Sequence, residues 1–148
     1  MKYDPGIIEA KGFTDGKQVL SGKRETSGAP ARIVLRPDRS RIFGDGEDVS
    51  MVTVEIVDQQ GRQVATASNE VTFQVVGEAR LIGVGNGDPS CHEPDKADKR
   101  SAFNGLAMAI VQAAKETGEI RVTASSPGLQ SATAIISAAP ATPPPSVP

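Results

Sequence analysis

The chain has 148 residues, a formal net charge of −2, 15 Gly and 11 Pro residues, no Trp and only 3% aromatic residues. So much Gly and Pro argues against a helical bundle, and so few aromatic rings argue against a surface that stacks on sugars or bases. The near balance of charges gives no basis for attracting nucleic acid or anionic lipid, and the apolar runs are too short to span a membrane. A chain of this length can form one domain, or one domain and part of another, but hardly one that encloses a large catalytic cleft.

The N-terminal segment predicts a β-hairpin. Residues 7–13 and 18–26 are strand-like, and the Asp15-Gly16 pair between them supplies the positive φ angles that a tight turn requires. Because a lone hairpin is only marginally stable in water, we expect it to be the edge of something larger. The segment Ser27–Pro30 then interrupts the strand pattern and predicts a domain boundary.

Short strands separated by turn signals follow the boundary. Val52, Val54 and Ile56 alternate with more polar neighbours, which is the period of a half-buried strand. About seven such stretches predict an all-β fold, an immunoglobulin-like antiparallel β-sandwich over residues 28–137. The predicted strands lie at residues 33–36, 52–57, 71–75, 80–84, 106–111, 120–124 and 132–136.

Two segments of this pattern need separate comment. Residues 103–115 are rich in Ala, Leu and Met, which favour a helix, but Gly105, the strict alternation and the absence of helix caps favour a strand. At the C-terminal end, residues 138–148 contain five prolines, so we expect a disordered tail there.

A long polar loop after the fourth predicted strand holds the single Cys and the single His of the chain, Cys91 and His92. Together with Asp88 and Glu93 they suggest a metal site, but the four-ligand spacing of structural zinc is missing. Calcium, bound by Asn86, Asp88 and backbone carbonyls, stays an alternative. Another interpretation is an ordered loop in which Gly, Asn and Asp shape the turns. Adjacent side chains of an extended chain point apart, so Cys91 and His92 do not predict a catalytic pair.

Two polar blocks, Gly83–Pro89 and Arg100–Gly105, occur in this order with His92-Glu93 between them. This arrangement resembles the C-terminal region of bacterial β-galactosidases of glycoside hydrolase family 2. The N-terminal segment Tyr3–Gly6 and the segment around the Asp15-Gly16 turn resemble the sequence that precedes the last domain in that family. The blocks contain the candidate loop or interface residues, which are Asn86, Asp88, His92, Glu93 and Asn104.

The resemblance implies both an organisation and a role. Residues 1–27 are expected to be a hairpin remnant of a preceding β domain that is poorly ordered or packs on the sandwich or on a neighbouring molecule. The sandwich itself would be the last immunoglobulin-like domain. Members of the family hydrolyse glycosides with two Glu residues in a central (β/α)8 barrel. No part of that barrel is present, so no catalytic, cofactor-binding or metal residue is assigned. We expect a non-catalytic accessory domain with a scaffold or interdomain role, whose partners are the other domains of the parent glycosidase.

Two other functions remain as alternatives. A carbohydrate-binding module is disfavoured by the lack of Trp, although a polar groove beside the long loop leaves a weak carbohydrate contact open. A bacterial immunoglobulin-like adhesion or stalk domain fits the strand pattern, but the two polar blocks favour the glycosidase. We expect no nucleic-acid or membrane partner. The compartment is left open, since periplasmic and extracellular locations are both compatible with a bacterial parent.

Overall fold

The computed structural model describes residues 5–141, and within this range the chain forms eleven β-strands. Among the same residues no helix is long and apolar enough to cross a lipid bilayer. The strands are β1 (Ile7–Thr14), β2 (Lys17–Glu25), β3 (Arg32–Pro37), β4 (Arg41–Phe43), β5 (Val49–Val57), β6 (Glu70–Val76), β7 (Ala79–Gly85), β8 (Lys99–Ser101), β9 (Leu106–Ala113), β10 (Gly118–Ser125) and β11 (Ala132–Ala139).

Two sheets form the sandwich. One has the order β4-β11-β10-β6-β8 and the other the order β3-β5-β9-β7, while β1 and β2 pair only with each other. The predicted immunoglobulin-like β-sandwich is confirmed. In the described part of the chain it has nine strands rather than about seven, because β4 and β8 have three residues each and are too short to show an alternating pattern. The β4–β11 pair is parallel, whereas the other pairs between named strands are antiparallel.

The core follows from the period of two along each strand. On β5 the side chains of Val52, Val54 and Ile56 have no solvent exposure. On β10 and β11 the side chains of Ile120 and Ile136 are equally buried. Alternate residues of facing sheets therefore form one apolar layer, the arrangement that stabilises sandwiches in general.

The segment 103–115 contains a strand, β9, and no helix, as the alternation predicted. β9 places small side chains inward: Ala107 and Ala109 are buried, while Met108 and Ile110 lie on the outer face and are partly exposed. Both faces of this strand are apolar. The sequence pattern alone therefore could not tell which face meets the core.

The predicted hairpin is confirmed as β1 and β2, with Ile7 opposite Glu25 in the antiparallel register. Asp15 and Gly16 have φ angles of 50° and 75°, as a tight turn of this kind requires. Nearly all of its side chains are exposed, and they include five large apolar ones: Ile7, Ile8, Phe13, Val19 and Leu20.

At the other end of the chain, β11 continues through Ala139, two residues into the segment expected to be a disordered tail. Residues 142–148 of that segment lie outside the described residues. The boundary at residue 27, and the assignment of the hairpin to a preceding domain, stay predictions.

Neighbouring isoleucines of β11 give a direct test of the core. Ile136 is fully buried and Ile135 is 45% exposed. We expect Ile136→Ala to lower the free energy of unfolding by about 2–5 kcal/mol, because truncation leaves a cavity in the core. Ile135→Ala removes the same atoms from the opposite face and serves as the control. Urea unfolding of both variants measures the difference, and equal losses would contradict the assigned orientation of β11.

Candidate functional site

The predicted polar loop connects β7 to β8 and so passes from an edge of one sheet to an edge of the other. Its backbone is held on both sides. The amide of Val84 donates to the carbonyl of Asp95 (2.8 Å), and the amide of Phe73 donates to the carbonyl of Asp98 (2.7 Å). Along β7, an edge strand, the loop therefore occupies backbone groups that would otherwise be open to pairing with another chain, and along β6 it continues the contact that β8 makes.

Arg100, on β8, lies at the centre of the hydrogen bonds that hold this loop, and its side chain is only 2% exposed. Nη2 donates to the carbonyls of Val84 and Pro94 (both 3.1 Å) and to Oδ1 of Asp95 (2.7 Å). Nη1 lies 3.0 Å from Sγ of Cys91. Burial opposes the charge of Arg100, but the hydrogen bonds to Asp95 and Cys91 outweigh it and hold the pKa of Arg100 above its usual value.

Glu93 is used inside the loop. Its Oε2 accepts the amide N–H of Ser101 (2.9 Å), and its Oε1 accepts the Ser101 hydroxyl (2.5 Å). These hydrogen bonds lower the pKa of Glu93 and outweigh the effect of burial, with a smaller contribution from the charge of Arg100. Arg100 Nε, which has no hydrogen-bond partner among the described residues, lies 3.9 Å from Oε2.

Asn86 and Asp88 shape the first turns of the loop. Nδ2 of Asn86 donates to the carbonyl of Ser101 (2.9 Å), while its Oδ1 accepts the amide of Asp88 (3.0 Å). Oδ1 of Asp88 accepts both the hydroxyl (2.7 Å) and the amide (2.9 Å) of Ser90, which lowers the pKa of Asp88. These side chains stabilise an Asx-type loop.

Asn104 lies in the turn between β8 and β9, with a φ of 52°, and its carbonyl accepts a hydrogen bond from Nε2 of Gln63 (2.9 Å). The next residue, Gly105, has a φ of 75°, and a Cβ there would lie 2.4 Å from the carbonyl oxygen of Val64. Only glycine fits this position without moving the backbone. The second polar block is thus needed for a tight turn against the 63–64 segment.

Four of the five candidate residues, all except Asn104, line one cleft of about 540 Å³ together with the half-buried Cys91 and with Phe103, which is 38% exposed. His92 is exposed. Among residues 5–141 no group of three or more His, Cys, Asp or Glu side chains is placed to hold a metal ion. The sequence did not predict that Arg100 holds the loop, because arginine is usually exposed and nothing in the sequence indicates that this one is buried.

These features define the class of protein as an immunoglobulin-like β-sandwich module. Hydrogen bonds within the module hold its loop between β7 and β8 in place. A family model described as glycoside hydrolase family 2 C-terminal domain 5 matches residues 33–135, and the chain belongs to this family. The resemblance seen in the two polar blocks is thereby confirmed.

Relatives in curated collections are much longer than this chain. The chain is 39% identical over 138 residues to Beta-galactosidase BoGH2A of Bacteroides ovatus, covering 93% of the chain and 16% of that protein. It is 31% identical over 131 residues to a β-glucuronidase of Formosa agariphila, covering 86% of the chain and 13% of that protein. The chain therefore spans about one-sixth or less of these relatives.

Solved structures of the family agree with the fold. A glycosyl hydrolase family 2 member from Bacteroides cellulosilyticus has a TM-score of 0.89 at 33% identity, covering 94% of this chain and 18% of that one. A β-glycosidase from Bacteroides vulgatus has a TM-score of 0.87 at 30% identity, covering 91% of this chain and 18% of that one. Each of these matches therefore extends over nine-tenths or more of this chain.

Replacing Arg100 tests its role in the loop. We expect Arg100→Met to lower the free energy of unfolding by about 1–3 kcal/mol, because the buried carbonyl of Val84 loses a donor. It should also speed proteolysis at Lys96 and Lys99. Arg121→Met, which removes an exposed arginine paired with Glu119, is the control and should change neither quantity. Equal behaviour of the two variants in urea unfolding and limited trypsin digestion would contradict this role.

Glu93 makes the loop sensitive to acid. Because its pKa is lower in the folded chain than in the unfolded one, its stabilisation is complete above about pH 4.3, the ordinary Glu pKa, and is lost as the pH falls through the folded-state value. We expect Glu93→Gln to show a smaller loss of stability between pH 6 and pH 3 than the natural chain. Urea unfolding at a series of pH values measures this. Glu78→Gln, at an exposed position, should retain the full acid dependence.

Proposed function

We propose that this chain is a non-catalytic accessory domain of a family 2 β-galactosidase, and that it acts as a scaffold joined to a preceding β domain through the hairpin. The observation that supports this most directly is the exposed apolar surface of the hairpin. Ile8 and Leu20, 76% and 70% exposed, lie on one face with Ala10 between them. The other face carries the ion pairs Lys11–Glu9 and Lys23–Glu25, with Ile7 at its end.

Such a hairpin is suited to a larger sheet. Two strands alone are marginal in water, and both outer edges of β1–β2 are unpaired within the described residues. Burying a leucine or isoleucine side chain that is now exposed would contribute about 1.5–3 kcal/mol. Packing of the Ile8–Leu20 face against further strands of a preceding domain therefore accounts for apolar side chains that this chain leaves in solvent.

The parent activity is proposed from the relatives. BoGH2A and a Thermoanaerobacter pseudethanolicus protein, 39% and 37% identical, are named β-galactosidases, whereas the matched Formosa proteins, 31% and 28% identical, are named β-glucuronidases or putative ones. This ranking favours a β-galactosidase as the parent. Hydrolysis would take place in other domains of that parent, so we expect this chain alone to leave a chromogenic galactoside intact.

The scaffold role is tested by the same substitution in two contexts. In the full-length parent we expect Leu20→Lys to lower the free energy of unfolding of the hairpin-containing domain by about 2 kcal/mol, because a buried leucine is lost. In the 148-residue chain it should have little effect, since Leu20 is exposed there. Ser21→Lys places the same side chain on the opposite, polar face and is the matched control. Thermal unfolding measures both.

Two results would contradict the proposal. One is a Leu20→Lys variant of the full-length parent as stable as the Ser21→Lys control. The other is saturable, millimolar or tighter binding of galactosides at the cleft of His92 and Phe103, detected as amide shift changes in NMR titrations. That second result would support the carbohydrate-binding module instead.

A further inference from the structure

The junction between the hairpin and the sandwich is built around one buried carboxylate. Asp58 follows β5 directly, and its side chain is 1% exposed. Its Oδ2 accepts the amide N–H of Gly28 (2.8 Å), which belongs to the short connection between β2 and β3. A carboxylate removed from water is unfavourable unless donors surround it, so the arrangement needs an explanation.

The other donors come from the turn that Asp58 begins. Oδ1 accepts the amides of Gln60 (3.0 Å) and Arg62 (2.9 Å), and Oδ2 also accepts Nε of Arg62 (2.8 Å). Burial opposes the charge of Asp58, yet the amide of Gly28 and the amide and guanidinium of Arg62 outweigh it and hold the pKa of Asp58 well below its usual range. The side chain of Asp58 thus links the connection between β2 and β3 to the turn at residues 58–62 through hydrogen bonds.

Arg62 extends this contact into the hairpin. Its Nη1 lies 3.6 Å from Oε2 of Glu25, the last residue of β2, while its Nη2 donates to Oε1 of Gln60 (3.1 Å). Both partners of the Arg62–Glu25 pair are about one-third exposed. Three residues after Gly28, the amide of Ala31 donates to the carbonyl of Val57 (2.9 Å). The connection is therefore held at its start, its middle and its end.

A groove of about 770 Å³ accompanies these bonds. Lys23 and Arg24 line it from the hairpin, and Glu55 with Gln63 and other residues of the 62–66 segment line it from the sandwich. Lys23 is paired with Glu25 within the hairpin and Glu55 with Arg36 within the sandwich. The ion pair that crosses the groove is Arg62–Glu25. This groove is the surface of the sandwich that faces the hairpin.

We propose that Asp58 and Arg62 form a fixed joint, so that the surface around them holds the preceding β domain at one orientation on the sandwich. This rests on the proposed function in assigning the hairpin to that domain. The default for two domains linked by a few residues is relative motion. Here a buried carboxylate with four donors removes that freedom, and Arg62 transmits the constraint to β2.

The joint is tested in the 148-residue chain by residual dipolar couplings of the backbone amides. In the natural chain we expect one alignment tensor to fit the amides of β1–β2 and those of the sandwich. In Arg62→Met, couplings of the hairpin should shrink about twofold and no longer fit the tensor of the sandwich, because the Arg62–Glu25 ion pair that links β2 to the sandwich is lost. The Gly28 amide should exchange with solvent about tenfold faster in Asp58→Asn.

Arg121→Met is the matched control, since it also removes an arginine from an ion pair and should leave a single tensor. Retention of one tensor by Arg62→Met, or separate tensors in the natural chain, would overturn the joint. If Asp58→Asn fails to fold, Arg62→Met and Glu25→Gln carry the test, because both leave Asp58 with its amide donors. Failure of the joint appears as a change in the couplings of this chain, whereas failure of the scaffold role appears as an unchanged stability of the Leu20→Lys parent or as galactoside binding, so the two failures are distinguishable.

Discussion

Two sheets stay together in this chain because each long strand buries every second side chain in a shared apolar layer. That constraint decides where polar groups can go. The polar groups of the intervening side chains, of the sheet edges and of the connections must all find hydrogen-bond partners outside this layer. Among the described residues, two charged side chains, those of Arg100 and Asp58, are almost completely buried. Each is surrounded by hydrogen-bond partners, and each organises a connection rather than a strand.

The two buried charges act on different parts of the molecule. Arg100 binds carbonyls on β7 and in the 86–98 loop, so it holds together the segment that passes between the sheets. Asp58 binds the amide of Gly28 and so acts on the chain that enters the sandwich. Removing one member of such a set leaves the others without partners in a region of low dielectric, so we expect substitutions at these positions to be destabilising.

Much of the architecture could be predicted from local chemistry. The Asp15-Gly16 turn and the alternation at 52–57 indicated a hairpin and a sandwich, because both signals arise from neighbouring residues. The three-residue strands β4 and β8 left no such signal, since three residues are too few for a period. For β9 the period was clear, but both faces are apolar, so the pattern did not decide which face meets the core.

The site was predictable in part. Four of the candidate residues do share one cleft, yet the structure uses the side chains of Asn86, Asp88 and Glu93 to hold the loop, leaving His92 exposed. Asp58 and Arg62 escaped attention because an Asp at a strand end is ordinarily a turn residue in water. Whether such a side chain is buried depends on segments distant in sequence, here on the approach of Gly28 thirty positions earlier.

Gly28 is also the first residue after the predicted boundary between the hairpin and the sandwich. Cleavage of the peptide bond before it would replace an N–H donor with an α-amine, whose ordinary pKa of about 7.7–8.0 leaves it protonated at neutral pH. The new ammonium would sit against the carboxylate of Asp58, exchanging a neutral hydrogen bond for a charge-assisted one. The sandwich can therefore be separated from whatever precedes it at this bond without leaving its buried acid unpaired.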